Sequence, residues 1–296
     1  TCALPISHVR QAIEAPTLAR NGNTQLFASL HSTTAGVDDD ITKAGYDIDS
    51  AGATLGMRHD MTEQFQAGFL LGLDSGSISG SHIDTDAEGF AFGAFARIVA
   101  DEKSKTIVTG SASFGNYSYD ATRSSFEGDV EADGIGASAV ELSLGVSTVI
   151  YEKENVTLSP NATLRYVNGS VDGFDEEGTG VELVVGSQDI SSVIIDLGLD
   201  ASIKLDEKVT FNGRVGYMHE LSSSEEPITA SFAATGANAV PFTVNAPGID
   251  HQAFVLGLGL SFDLNDSATL GLSYRGEYRF DSQASQNVGL GVSFGF

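Results

Sequence analysis

From Asn287 to the last residue the chain alternates without a break. Val288, Leu290, Val292, Phe294 and Phe296 share one parity, while Asn287, Gly289, Gly291, Ser293 and Gly295 share the other. A helix, turning about 100° per residue, would scatter both sets around its circumference. A strand puts each set on its own face. This stretch therefore folds as a β-strand with one large apolar face and one small, polar face.

The same separation recurs upstream. Leu270, Leu272, Tyr274, Tyr278 and Phe280 oppose Thr269, Ser273, Arg275, Glu277 and Arg279, and Phe254–Leu264 splits likewise around Gly257, Gly259 and Ser261. Phe211, Val215, Tyr217, His219 and Leu221 oppose Asn212, Arg214, Gly216, Met218 and Glu220. Val193, Ile195, Leu197, Leu199 and Ile203 oppose Asp196, Gly198, Asp200, Ser202 and Lys204. Further back, Leu164 and Tyr166 oppose Thr163 and Arg165, and Phe65, Ala67, Phe69, Leu71 and Leu73 oppose Gln66, Gly68, Gly72 and Asp74. The alternation does not fix the strand register in residues 22–135, where it is ambiguous around Thr106–Tyr119.

Short polar turns are expected near Asp60–Glu63, Asp101–Ser104, Tyr151–Asn155, Asp206–Glu207 and Asn265–Ser267. Between them lie Gly/Ser/Asp-rich segments read as long loops, at 32–46, 75–86, 120–134, 168–190 and 222–250. Alternating short and long connections are the layout of a transmembrane barrel, with short periplasmic turns and long extracellular loops. The count is about twelve strands, an even number as bacterial barrels have.

A soluble barrel would put its apolar face inside and charge outside. Here the apolar faces carry no Lys and no Arg, while the opposite faces carry Gly, Ser, Asn and paired charges. Such residues pack poorly as a dry core but line a wet lumen well. The fold class expected is all-β: an antiparallel transmembrane barrel with a polar lumen. The longest apolar stretches, such as Phe254–Phe262, run about nine residues, a strand's span rather than the ~20 of a membrane helix. Fifteen Lys and Arg against 40 Asp and Glu leave a net charge of −25. That balance disfavours nucleic acid as a partner. The single cysteine, Cys2, permits no disulfide framework and no Cys-based metal site. No metal and no cofactor are expected.

Residues 1–7 read either as an ordinary mature start or as the translation of a sequencing adapter. Residues 1–21 are read as a linker containing a short helix over 8–21 in or near the pore. Ser7 can cap that helix, Val9, Ala12 and Ile13 form its stripe, and Pro16 interrupts it. Residues 22–296 form the barrel domain.

From about Val156 the chain resembles the β-domain of autotransporters, the translocators of type V secretion. The likeness rests on LSPNATLRYVNGSVDGFDEEGTG (158–180), GRVGYMHEL (213–221), ITASF (228–232), Asp250 followed by the strand Phe254–Leu264, LGLSYRGEY (270–278) and GVSFGF (291–296). It implies a twelve-stranded barrel in the bacterial outer membrane, a helix through the lumen, and an upstream passenger that the barrel anchors and exports. It also implies that Gly291, Phe294 and Phe296 form a signal read by the outer-membrane assembly machinery. Physically, an edge strand with an aromatic face can pair with another sheet before the barrel closes. The expected partners are thus outer-membrane lipid, that machinery and the passenger.

Arg165, Arg214, Glu220, Arg275, Glu277 and Arg279 are expected on the lumenal face. They could grip a plug or a passing polypeptide, or simply satisfy one another. Acidic clusters at Asp38–Asp40, Asp175–Glu177 and Glu225–Glu226 lack the spacing of a calcium loop and are read as solvated. An outer-membrane hydrolase would need a His beside a carboxylate or serine at the rim. His82 with Asp84, His219, and Asp250 with His251 are the candidates, and none forms a recognisable triad. No catalysis is expected. A passive pore without a passenger is the alternative, and a hydrolase a more distant one.

Overall fold

A computed structural model describes residues 23–37, 45–178, 181–225, 227–244, 251–280 and 283–296. The helix expected over 8–21, Cys2 and Asp38–Asp40 lie outside the described residues.

Twelve long strands follow one another: β1 Thr24–Val37, β2 Tyr46–Asp60, β3 Phe65–Gly80, β4 Ile83–Asp101, β5 Thr106–Ser125, β6 Gly128–Ser147, β7 Val156–Val171, β8 Gln188–Lys204, β9 Val209–Glu225, β10 Gln252–Asn265, β11 Ala268–Arg279 and β12 Gln283–Gly295. Each pairs antiparallel with its sequence neighbours, and β12 pairs with β1 from Gln25↔Gly295 to Val37↔Gln283. The sheet is thereby a closed up-and-down barrel that leaves no edge among these strands. A three-residue strand, Tyr151–Lys153, folds back on β7 beside the turn. Closure reaches the last residue: the Phe296 N–H donates to the Thr24 carbonyl at 3.0 Å, and the Thr24 N–H returns to the Phe296 carbonyl at 3.3 Å.

The turns that share an end with this seam are short. In the turn after β4, Asp101 accepts from the Ser104 hydroxyl at 2.8 Å and the Lys103 N–H at 3.0 Å. The hydroxyl first, then the backbone donor, hold that carboxyl below its ordinary pKa. At the other end the structure departs from expectation. Segments 75–86 and 120–134 are paired strand rather than loop, and their hairpins close over Ser81–His82 and Phe126–Glu127. Most of their Ser and Asp residues point outward while Gly, Ala, Ile and Val point inward, so the composition of a loop conceals a two-faced strand. One irregularity remains where β6 bulges opposite Tyr119/Ala121. There Gly134 adopts φ +68°, which glycine tolerates best, and its N–H donates to Asp120 Oδ1 at 2.8 Å.

The outer surface marks the membrane. On β4 the outward residues are apolar from Phe90 to Ile98. About nine residues at ~3.4 Å each, tilted ~40°, give a band about 23 Å tall, close to that of outer-membrane barrels. The row above it, Ser75–Glu88–Ser118, is polar, and the next, Asp49–Ser77–Asp86–Asp120, is acidic. Charges placed there require water, so β3 to β6, with up to 20 residues each, stand well clear of the bilayer. β11, with 12 residues, does not. The barrel therefore has one tall wall, formed by β3–β6.

The lumen is polar, but not on every side. Phe27, Leu70 and Phe95 form a buried cluster on inward faces of β1, β3 and β4. Their rings lie on glycines of the neighbouring strand: a Cβ at Gly56 would sit 2.1 Å from Phe27, and one at Gly68 would sit 2.4 Å from Phe95. These lumenal glycines are seats for side chains of the barrel itself.

Candidate functional site

The charged residues picked out by alternation converge on one that alternation did not single out. Asp196 on β8 has no exposed surface. It accepts from Arg214 Nη2 of β9 at 2.7 Å and from Arg275 Nη2 of β11 at 3.2 Å. Arg214 reaches it by lying over Gly198, where a Cβ would stand 2.7 Å from its Nη2, and Gly257 leaves room beside the Arg214 stem. The same guanidinium donates to Asp200 Oδ1 at 3.0 Å and Asn161 Oδ1 at 2.8 Å, while Asn161 Nδ2 donates to Asp200 Oδ2 at 2.6 Å. Arg275 is also held by Glu277 Oε1, at 2.9 Å from Nε and 2.8 Å from Nη2.

The remaining expected residues lie around this centre. Arg165 on β7 is 3.9 Å from Glu141 of β6 and donates to the Met218 sulfur at 3.2 Å. Glu220 lies further along β9, where it accepts from Ser192 and, at 2.9 Å, from His251 Nδ1. Arg279 ends β11, opposite Ala253 of β10. Asp196, Asp200 and Glu141 complete the set, and each occupies the polar parity of its strand. Arg165, Arg214 and Arg275 thus face four carboxylates (Glu141, Asp196, Asp200 and Glu277), so each guanidinium is paired with a carboxylate and the network braces β6 to β11 from within.

A second buried pair holds the opposite wall. His31 Nε2 lies 3.0 Å from Asp74 Oδ1. The pair bridges β1 and β3 across Gly52, where a Cβ would meet the carboxylate at 2.2 Å.

The hydrolase candidates do not assemble. His82 caps an exposed hairpin and Asp84 lies beyond it on the exposed end of β4. His219 stacks on Tyr217 with ring centroids 6.3 Å apart. Asp250 lies outside the described residues, and His251 pairs with Glu220 instead. That carboxylate lies between His251 and Ser192, so the imidazole does not contact the hydroxyl and no Ser–His pair forms. In the cluster Asp175–Glu177, Glu176 is committed to Arg123 at 2.5 Å and to the Leu183 N–H at 2.9 Å.

The extracellular end carries a second sheet that sequence reading missed. Phe174–Asp175, Leu183–Val185, Ile228–Phe232 and Phe242–Val244 form four short antiparallel strands, drawn from the segments after β7 and β9. Phe174 packs on the inward cluster of the tall wall, which includes Ala87, Tyr117, Tyr119, Ala132, Ile135 and Ala137. Bidentate bonds from Arg123 of β5 to Glu176, at 2.8 and 2.5 Å, tie the sheet to that wall. The signal available in the sequence was the β-rich string ITASF; its partners, three residues or fewer, are too short for periodicity to reveal.

A closed barrel with an apolar belt, acidic upper rows and a braced polar lumen defines an outer-membrane β-barrel protein. The sequence matches the family described as Autotransporter beta-domain over residues 26–275, and the chain belongs to that family. Its fold is that of solved translocators. The translocator domain of autotransporter NalP from Neisseria meningitidis superposes with a TM-score of 0.76 at 17% identity, covering 98% of this chain and 95% of that one. The β-domain of the Bordetella autotransporter BrkA gives 0.68 at 16%, covering 93% and 100%. The transport unit of AIDA-I from Escherichia coli gives 0.65 at 9%, covering 98% and 97%. Among curated proteins, the extracellular serine protease of Serratia marcescens is 23% identical over 257 residues, 83% of this chain but 24% of that protein. The chain spans about a quarter of the length of that relative. The protein is a translocator barrel of the bacterial outer membrane.

Proposed function

We propose that this barrel anchors an upstream polypeptide in the outer membrane and provides the route by which that polypeptide is exported. The observation that carries the reading is the network of paired lumenal charges centred on Asp196. It keeps a polar lumen open without drawing on charges from a substrate. In this role Arg165, Arg214, Arg275 and Glu277, with Glu220 and Arg279 further along the same wall, form a wetted surface along which extended chain slides. No residue needs to act as acid, base or nucleophile. The activity in the Serratia relative's name belongs to that whole protein.

The test is expression of the barrel with its native upstream region in a Gram-negative host. External protease should then degrade the upstream region while the barrel migrates as a heat-modifiable, folded species. An upstream region that stays protected behind a folded barrel would overturn the reading.

Gly291, Phe294 and Phe296 are proposed to guide insertion by the assembly machinery. Phe294 and Phe296 are both outward and exposed, and the Phe296 backbone closes the seam to β1. Deleting Phe296 should lower the folded fraction in the same heat-shift assay about tenfold, since one edge pairing and one aromatic anchor are lost together. An unchanged folded fraction would remove this residue from the signal.

A further inference from the structure

The small extracellular sheet ends in the kind of edge that natural sheets normally protect, and no described strand covers it. Among the described residues, Phe242–Val244 pairs only with Ile228–Ala230. Its backbone direction follows from its neighbour. The Thr229 carbonyl accepts from the Gly186 N–H at 2.8 Å, so the Thr229 backbone faces Leu183–Val185. Thr229 and Thr243 are therefore a non-hydrogen-bonded pair, and the Thr243 N–H and C=O point out from the sheet. The side chains follow suit. Ile228, Ala230, Phe232, Leu183, Val185, Phe242 and Val244 share one face by register. Its inner part is covered, whereas Phe232, Phe242 and Val244 are 48, 37 and 49% exposed, above the apolar belt and so out of reach of lipid.

Chemistry distinguishes this edge from its surroundings. In a chain of net charge −25, the run Ile228–Val244 has no ionisable side chain at all. Exposed edge strands are usually blunted by Lys, by inward charge or by a covering element, because an uncharged one recruits other chains. The neighbouring outward rows of β2 to β5 are acidic, so the omission is local. The sheet is fixed by its opposite edge to the inner side of the tall wall, through Phe174 and the Arg123–Glu176 bond, and so belongs to the mouth of the barrel.

We propose that the Phe242–Val244 edge is a docking strand for the exported part of the same polypeptide. An extended segment leaving the pore adds as a fifth strand, with its N–H and C=O on Thr243 and its apolar side chains on Phe232, Phe242 and Val244. The occupant follows from place and length. The matched region makes up 24% of the Serratia relative, so most of such a polypeptide lies beyond the barrel, and the edge stands where it emerges. An uncharged, two-faced edge selects extended apolar chain rather than an acidic or basic ligand. The inference rests on the translocator reading given above.

Two measurements test it. Amide hydrogen exchange is compared between the 296-residue chain and the barrel with its native upstream region attached, both in the same micelles. The peptide containing Phe242–Val244 should exchange at least about tenfold more slowly in the longer protein. Equal exchange overturns the proposal, as does protection that appears in the 296-residue chain alone on raising its concentration, which would mark a second copy as the occupant. The second measurement is export by Thr243→Pro. Proline removes the outward donor and leaves the bonds of Phe242 and Val244 to the sheet intact. The upstream region should reach the surface several-fold more slowly while the heat-modifiable barrel persists; wild-type kinetics overturn the proposal. If the wild-type upstream region never reaches the surface, the translocator reading itself fails, and that result is distinct from normal export with a silent Thr243→Pro.

Discussion

Replacing Asp196 by alanine is expected to destabilise the folded barrel by about 2–4 kcal/mol, read as a lower urea midpoint for unfolding from micelles. Two guanidiniums from different strands end on this carboxylate, which has no exposed surface. Removing one partner of a buried ion pair costs ~3–5 kcal/mol when the other is left without compensation. A somewhat smaller cost applies here, because Arg214 and Arg275 keep Asp200 and Glu277 and their side chains are 12 and 18% exposed. Asp200→Ala is the informative comparison. Its side chain is 43% exposed and pairs with Arg214 at the edge of the network, so its loss should cost about 1 kcal/mol or less. Equal effects from the two substitutions would show that Asp196 is not the centre of the network.

That centre shows how far alternation can be read. The alternation puts Arg214, Arg275 and Glu277 on the polar parity of their strands, as it does Asp196 and Asp200 on β8. What it does not contain is the reach of an arginine across intervening strands, which depends on barrel curvature and on glycines such as Gly198 and Gly257. Leu70 was hidden for a related reason. Within the run Phe69–Leu70–Leu71 the apolar lumenal residue looks like part of the lipid face, and only the ring of Phe95 above Gly68 explains why an apolar side chain belongs inside. The five short turns were legible from their turn chemistry and gave the strand count, but a clean period was legible only in β3 and in β7 to β12. The length of the β3–β4 and β5–β6 hairpins was not, since an exposed strand above the membrane has the Ser, Asp and Gly content of a loop. The small extracellular sheet joins segments more than 40 residues apart with strands of two to five residues, and no local pattern can announce such pairing.

The lipid-facing band sets the second large expectation, Ala94→Arg. Ala94 points outward at the middle of the apolar run Phe90–Ile98 and pairs with Phe69 of β3 and Ala112 of β5, both also outward. Alanine is the useful starting residue because little apolar contact is lost on replacing it, so the change isolates the cost of bringing a guanidinium to the hydrocarbon centre. On a barrel that cost is about 2–4 kcal/mol at the midplane and ~0–1 near the interfaces. Arginine's long stem lets its charge reach towards the headgroups, which keeps the figure from rising further. Ser118→Arg is the matched control. It lies on the outward face of β5 opposite Glu88, in the first polar row above the band, where water and a carboxylate are both available. Refolding into thin phospholipid bilayers, followed by urea titration, should separate the two variants by at least ~2 kcal/mol. If Ala94→Arg and Ser118→Arg unfold at the same urea concentration, the row from Phe69 to Ala112 is not at the membrane centre. The belt would then have to be redrawn along strands long enough to admit another position.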